Sequence, residues 1–150
     1  MRCNLMNGAI GVCVAIAAMC SQPTDDWGEV EWVDYVATTE FGMETVDGRV
    51  SGVEVRLFNN RRVDLIWKGY AIEADWSDKI FEGVGQSLYY AAVTHKKPGL
   101  LILVRDKQAA LVRIEQALLI ARRNNPEIRV WAYDVRARKM LRVSDDPMLD

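Results

Sequence analysis

The sequence predicts an α/β fold, a mixed sheet flanked by helices in the order helix, three strands, helix, strand, helix, strand. Three observations lead there. Between Val53 and Trp76, three short segments rich in β-formers are separated by turn residues, as in an antiparallel meander. Leu100 to Val104 is an unbroken aliphatic run, the mark of a strand buried on both faces. Helical periodicity stands on either side of that run, so the hairpins lead into βαβ units.

The first helix is placed over Glu29 to Glu44, where Val30, Val33, Tyr35, Val36 and Phe41 make an apolar stripe within an acidic stretch. Gly48 to Gly52 reads as a turn. The strands Val53–Leu57, Arg62–Trp67 and Tyr70–Trp76 follow, joined by turns at Phe58–Arg61 and Lys68–Gly69. Ser77 or Asp78 is suited to cap the next helix, whose apolar face is Phe81, Val84, Leu88 and Ala91 or Ala92. That helix ends near Thr94–His95, and Lys96–Gly99 reads as a loop. After the aliphatic strand, Asp106 caps a long helix from Lys107 to Asn124 that stops before Pro126. Ile128–Tyr133 is the last strand. There are no repeats and no low-complexity tract.

A chain of 150 residues suits one domain, set at 24–143, with an acidic tail over 144–150. Half the residues are hydrophobic and the net charge is only −2, so net charge names no partner. The charge is unevenly spread. From Ser21 to His95 there are 6 Lys/Arg against 14 Asp/Glu; from Lys96 to Arg142 there are 12 against 4. An acidic half beside a basic half suits a metal site next to a polyanion-binding surface, and equally a solvated basic helix face.

The three cysteines, Cys3, Cys13 and Cys20, all fall in the first twenty residues, which excludes a disulfide framework or a cysteine-based zinc site from the body. Residues 1–20 read as an export leader: Arg2 in a short polar start, then the small apolar run Gly8 to Met19. The run is short for a membrane span. Ala15-Ile16-Ala17 offers a cleavage site. Ala17-Ala18-Met19-Cys20 resembles a bacterial lipoprotein signal, which would anchor a lipid on Cys20, although Met19 is bulkier than the usual residue there. The expected location is periplasmic or envelope-associated; a false start codon would leave the protein cytoplasmic.

The chemistry concentrates on the second and third strands. Asp64 lies between Val63 and Leu65, and Glu73 and Asp75 share one face of the next strand. A carboxylate in an aliphatic strand is costly unless it is paired, solvated or bound to a cation. Hard oxygen ligands on neighbouring strands can hold Mg²⁺ or Mn²⁺; an exposed sheet edge would explain them as well. His95 is the sole histidine, so a histidine metal cluster or a Ser-His-Asp triad is excluded. No glycine-rich phosphate loop is present.

Val63-Asp64, eight intervening residues, Glu73-Ala74-Asp75 and then a helix with Gln86-Ser87-Leu88-Tyr89-Tyr90 resemble the PD-(D/E)XK nuclease superfamily, in its branch with a Gln-x-x-x-Tyr helix. The likeness spans roughly Val53 to Asp134, and extends to small exported bacterial proteins of that fold. It implies a restriction-endonuclease-like fold and metal-dependent hydrolysis of DNA. It makes Asp64 and Glu73 ligands of Mg²⁺ or Mn²⁺, and gives Gln86 and Tyr90, at i and i+4, the positioning of the nucleic acid. The family's lysine belongs two residues after the second acid, where this chain has Asp75; Lys79 is the candidate to replace it. The family's first acid has three candidates, Glu54 on the first strand and Glu40 or Glu44 on the first helix. Asp75 also admits a non-catalytic exported binding or scaffold protein that has kept the fold. Whether the DNA would be single- or double-stranded is left open.

Overall fold

The computed structural model describes residues 23–24, 26–123 and 126–141. The leader, its three cysteines and the acidic tail lie outside the described residues. The fold is mixed α/β: a six-stranded mixed sheet with helices on both faces.

Helix α1 runs Glu29–Thr39 and a two-stranded ribbon follows, β1 (Thr45–Val46) and β2 (Arg49–Val50). Strands β3 (Val53–Arg56), β4 (Arg62–Trp67) and β5 (Tyr70–Trp76) form the expected antiparallel meander. Helix α2 (Ile80–Thr94) crosses to β6 (Lys97–Val104), which pairs parallel with β5; α3 (Lys107–Arg123) crosses to β7 (Arg129–Asp134), parallel with β6. A short β8 (Lys139–Leu141) closes the sheet, whose order is β3-β4-β5-β6-β7-β8.

Period-2 alternation sorts the strand side chains into two cores. Leu65, Ile72, Ala74, Leu101, Leu103, Trp131 and Tyr133 pack with Trp32, Val33, Val36 and Ala37 of α1. Leu100, Ile102, Val104, Val130 and Ala132 pack with Ile80 and Val84 of α2 and with Ala110, Ile114, Ala117 and Ala121 of α3. The aliphatic run of β6 feeds both cores, which is why it shows no polar alternation. Gly99 permits this close packing: a Cβ there would stand 2.8 Å from Ile72 Cγ1 and 2.9 Å from Trp131 Cζ3.

Several local expectations are corrected. Helix α1 stops five residues before Glu44. The Thr38 and Thr39 hydroxyls donate back to the Asp34 and Tyr35 carbonyls, and Gly42 then turns the chain at φ +63°. The segment read as a turn at Gly48–Gly52 contains strand β2. Neither Ser77 nor Asp78 caps α2; Lys79 is the N-cap and makes no side-chain cap bond. Ser77 is engaged elsewhere, its N–H donating to Leu103 O at 3.0 Å and its carbonyl accepting from Arg113 at 3.3 Å. Lys97-Pro98-Gly99 belongs to β6, not to a loop. Pro98 is tolerated because β7 joins the ladder only from Gly99, so no β7 partner stands opposite its missing N–H. Asp106 does cap α3, accepting from the Gln108 and Ala109 N–H groups.

Candidate functional site

The site is built where the meander meets α2. The register Leu65↔Ile72 continues to Trp67↔Tyr70, and the β4–β5 pairing stops short of Asp64. There the Ala74 N–H donates to Asp64 Oδ2 at 2.8 Å, so a side-chain carboxylate takes the place of a ladder carbonyl. The two strands part at this point, and the Asp64 and Glu73 carboxyl groups come within hydrogen-bonding reach of each other. Glu73 is only 6 % exposed, and its Oε2 is buried without a hydrogen-bond partner.

These two acids share one open cavity of about 300 Å³ with Glu54, Lys79, Gln86 and Tyr90. The sequence separates these residues by up to 36 positions, and the fold brings them to one place. Glu54 reaches it from β3 through a left-handed backbone, φ +52°, and forms an ion pair with Arg62. Tyr90 lies with its ring against Val63 and Ala71. Gln86, one turn earlier on α2, donates to Glu82 Oε1 at 3.4 Å. Asp75 also lines the cavity, buried on the same side, where it accepts from the Trp76 N–H at 2.9 Å. Lys79 Nζ stands 4.0 Å from Asp75 Oδ1. Gly83 lets α2 pass this close to β5: a Cβ there would meet Leu100 Cδ1 at 2.8 Å and Asp75 Cβ at 3.5 Å.

Glu40 and Glu44 are not brought to the cavity. Glu40 is the C-cap of α1, and Glu44 is an exposed residue before β1. Helix α1 instead delivers Glu29, from its first turn. Sequence reasoning placed Glu29 at the start of the helix but did not single it out, because periodicity does not say which end of a helix faces the sheet edge. An acid in the first turn is favoured by the helix dipole and is therefore common, so it does not by itself mark a site. Arg61, Arg62 and Glu82 were likewise missed.

The electrostatics are those of crowded acids. Burial, and then the charges of Asp75 and Asp64, push Glu29 up to about 7, against the opposing pull of Lys79. Burial raises Asp64, and raises Glu73 much further because Asp64 and Asp75 add like charge beside it. Asp75 is raised by burial, with the Trp76 N–H and Lys79 opposing. Tyr90 is raised by burial and then by Glu73 and Asp64. Six acidic side chains face three basic ones around the cavity, so a phosphate would be repelled unless a cation intervened.

A hard divalent cation fits this donor set, which is all oxygen and includes one buried carboxyl oxygen lacking a partner. Among the described residues no three acidic, histidine or cysteine side chains form a ready-made metal cluster, so a cation would have to draw the carboxylates together. No helix among the described residues is long and apolar enough to cross a membrane. No protein-family model, curated protein or solved structure matches this chain.

Proposed function

We propose that this protein is a metal-dependent DNA phosphodiester hydrolase of the PD-(D/E)XK type, with a restriction-endonuclease-like fold. One observation carries the reading. Asp64, Glu73, Lys79, Gln86 and Tyr90, selected on a motif, line a single cavity, with the two acids in contact on adjacent strands.

Mg²⁺ or Mn²⁺ held by Asp64 and Glu73, with Glu54 or Glu29 completing the acidic set, would activate water and offset charge on the phosphodiester. The remaining work falls to the chain itself. The Ala74 N–H fixes Asp64 by one oxygen and so orients its carboxylate beside Glu73. Lys79 supplies the positive charge that Asp75 cannot. Asp75 in turn is a positioning residue, keeping the Lys79 ammonium at the start of α2 beside the carboxylates. Gln86 and Tyr90 lie one helical turn apart and both line the cavity, where they would seat a strand.

The rival is a non-catalytic binder on the same fold, and Asp75 in the lysine position favours it. Purified protein, incubated with labelled single- and double-stranded DNA and either metal, separates the two. The hydrolase reading expects cleavage that Asp64→Ala abolishes together with metal binding. Lys79→Ala should abolish cleavage alone, since its side chain is 55 % exposed and its loss leaves the core untouched. Absence of cleavage by the unaltered protein under every condition refutes the hydrolase.

A further inference from the structure

A second hollow adjoins the acidic cavity. It has a volume of about 200 Å³, is lined by Arg61, Gly85, Gln86 and Tyr89, and shares Arg61 and Gln86 with the first. Its floor contains an anomaly. Gly85 lies inside helix α2, where glycine is unfavourable, and a Cβ there would meet nothing within 4 Å. Gly83, two residues earlier, is explained by the approach of β5 and β6; Gly85 has no packing partner to explain it. What its lack of a side chain preserves is open space.

The walls of that space are planar. Tyr89 is 40 % exposed although aromatic, and the Arg61 guanidinium stands 5.6 Å from its ring centroid. The Tyr89 hydroxyl is held by the Asn59 side-chain amide, which donates to it from the β3–β4 turn. Aromatic rings and an arginine plane beside a cationic edge are the recurring means of holding an unpaired base, since every base has a π-face to stack. Inside a duplex the bases are stacked on each other and offer no such face to a protein.

We propose that Tyr89 and Arg61 form a stacking platform for an unpaired nucleobase, with Gly85 leaving room for it, so that the protein takes single-stranded DNA. The proposal rests on the nuclease reading for the neighbouring cavity, where the phosphate next to the stacked base would lie.

Fluorescence anisotropy tests it, with the full chain, Ca²⁺ as the divalent ion, and three labelled oligonucleotides: a single strand, an abasic strand with the same phosphates, and a duplex. The single strand should bind roughly tenfold or more tightly than the abasic strand or the duplex. Tyr89→Ala should weaken the single strand by roughly tenfold and leave the abasic strand unchanged, while Tyr89→Phe keeps the ring and the affinity. Gly85→Leu should fill the hollow and weaken only base-bearing strands. It should melt no lower than the unaltered protein, because it replaces a helix-interior glycine. Equal binding of abasic and base-bearing strands, preference for the duplex, no effect of Tyr89→Ala, or no binding at all would each overturn the platform. Cleavage is read separately with Mg²⁺, so failure of the hydrolase and failure of the platform are distinguishable.

Discussion

Glu73→Gln should stabilise the metal-free protein, and the gain should depend on pH. Glu73 is buried, its Oε2 has no partner, and burial and the Asp64 and Asp75 charges push its carboxyl well above the usual 4.5. In the unfolded chain this group loses its proton above pH 4.5; in the fold it keeps it. The folded state therefore binds more protons between 4.5 and the raised value, and stability falls as pH rises through that window. At pH 7 the cost saturates at the gap between 7 and 4.5, which at 1.36 kcal/mol per unit is up to about 3 kcal/mol. At pH 5 the same arithmetic leaves under about 1 kcal/mol.

Glutamine has the same shape and keeps a donor toward Asp64, as the protonated acid does, but carries no proton to lose. The assay is thermal or urea unfolding of both proteins in chelator at pH 5 and pH 7. For a domain of this size about 3 kcal/mol corresponds to roughly 10 °C in Tm. The variant should lead by about that much at pH 7 and by far less at pH 5. An equal lead at both pH values, or none at pH 7, would refute the idea that burial and like-charge crowding of Glu73 destabilise this site.

Other outcomes follow from the same geometry. Mg²⁺ or Mn²⁺ at a hundredfold excess over its Kd should raise the stability of the unaltered protein by about 2.7 kcal/mol, and leave Asp64→Ala unmoved; identical shifts in calorimetry would sink the metal site. Glu54 sits at φ +52°, so Glu54→Gly should melt higher than Glu54→Ala, by about 1 kcal/mol, since both lose the carboxylate but only glycine relieves the backbone. Gly52 has φ +85° and a Cβ would stand 2.8 Å from the Ile66 carbonyl oxygen, so Gly52→Ala should cost on the order of 2 kcal/mol in urea unfolding.

What was legible in the sequence followed from local periodicity. The meander could be read from β-rich segments and their turns, and the two crossovers from the alternation of helix and strand signals; the observed pairing agrees. Elements without such a signal were not legible. The ribbon β1–β2 has two residues per strand, and β8 has three, too few to show a period. Among the site residues, Asp64 and Glu73 stood out because a carboxylate amid aliphatic strand residues is conspicuous. Glu29 did not, because an acid in the first turn of a helix is ordinary, and only the packing of α1 under Leu65, Ile72 and Ala74 shows which end meets the cavity. Arg61 and Tyr89 were hidden for a similar reason: they face each other across 28 residues, and neither position is unusual in its own element.

On the proposed nuclease reading, aspartate rather than lysine at position 75 has a steric logic in this fold. Asp75 is 5 % exposed and lies beneath Gly83, whose Cβ position is 3.5 Å from Asp75 Cβ and 3.8 Å from its Oδ2. A lysine rooted there would have to carry four methylenes out from under α2 before its ammonium met water, at a high cost in desolvation and packing. Aspartate is short enough to stay beneath the helix, and Trp76 N–H, Lys79 and Glu29 all meet its carboxyl. The cation then enters from the other side, at the N-cap of α2, where Lys79 has room to reach the cavity from solvent. A lysine at the N-terminus of a helix is disfavoured by the dipole, and Asp75 offsets that by placing a carboxylate 4.0 Å from its ammonium. The pair Asp75–Lys79 thus brings net neutrality and one movable positive charge to the place where a single strand-borne lysine would have been buried.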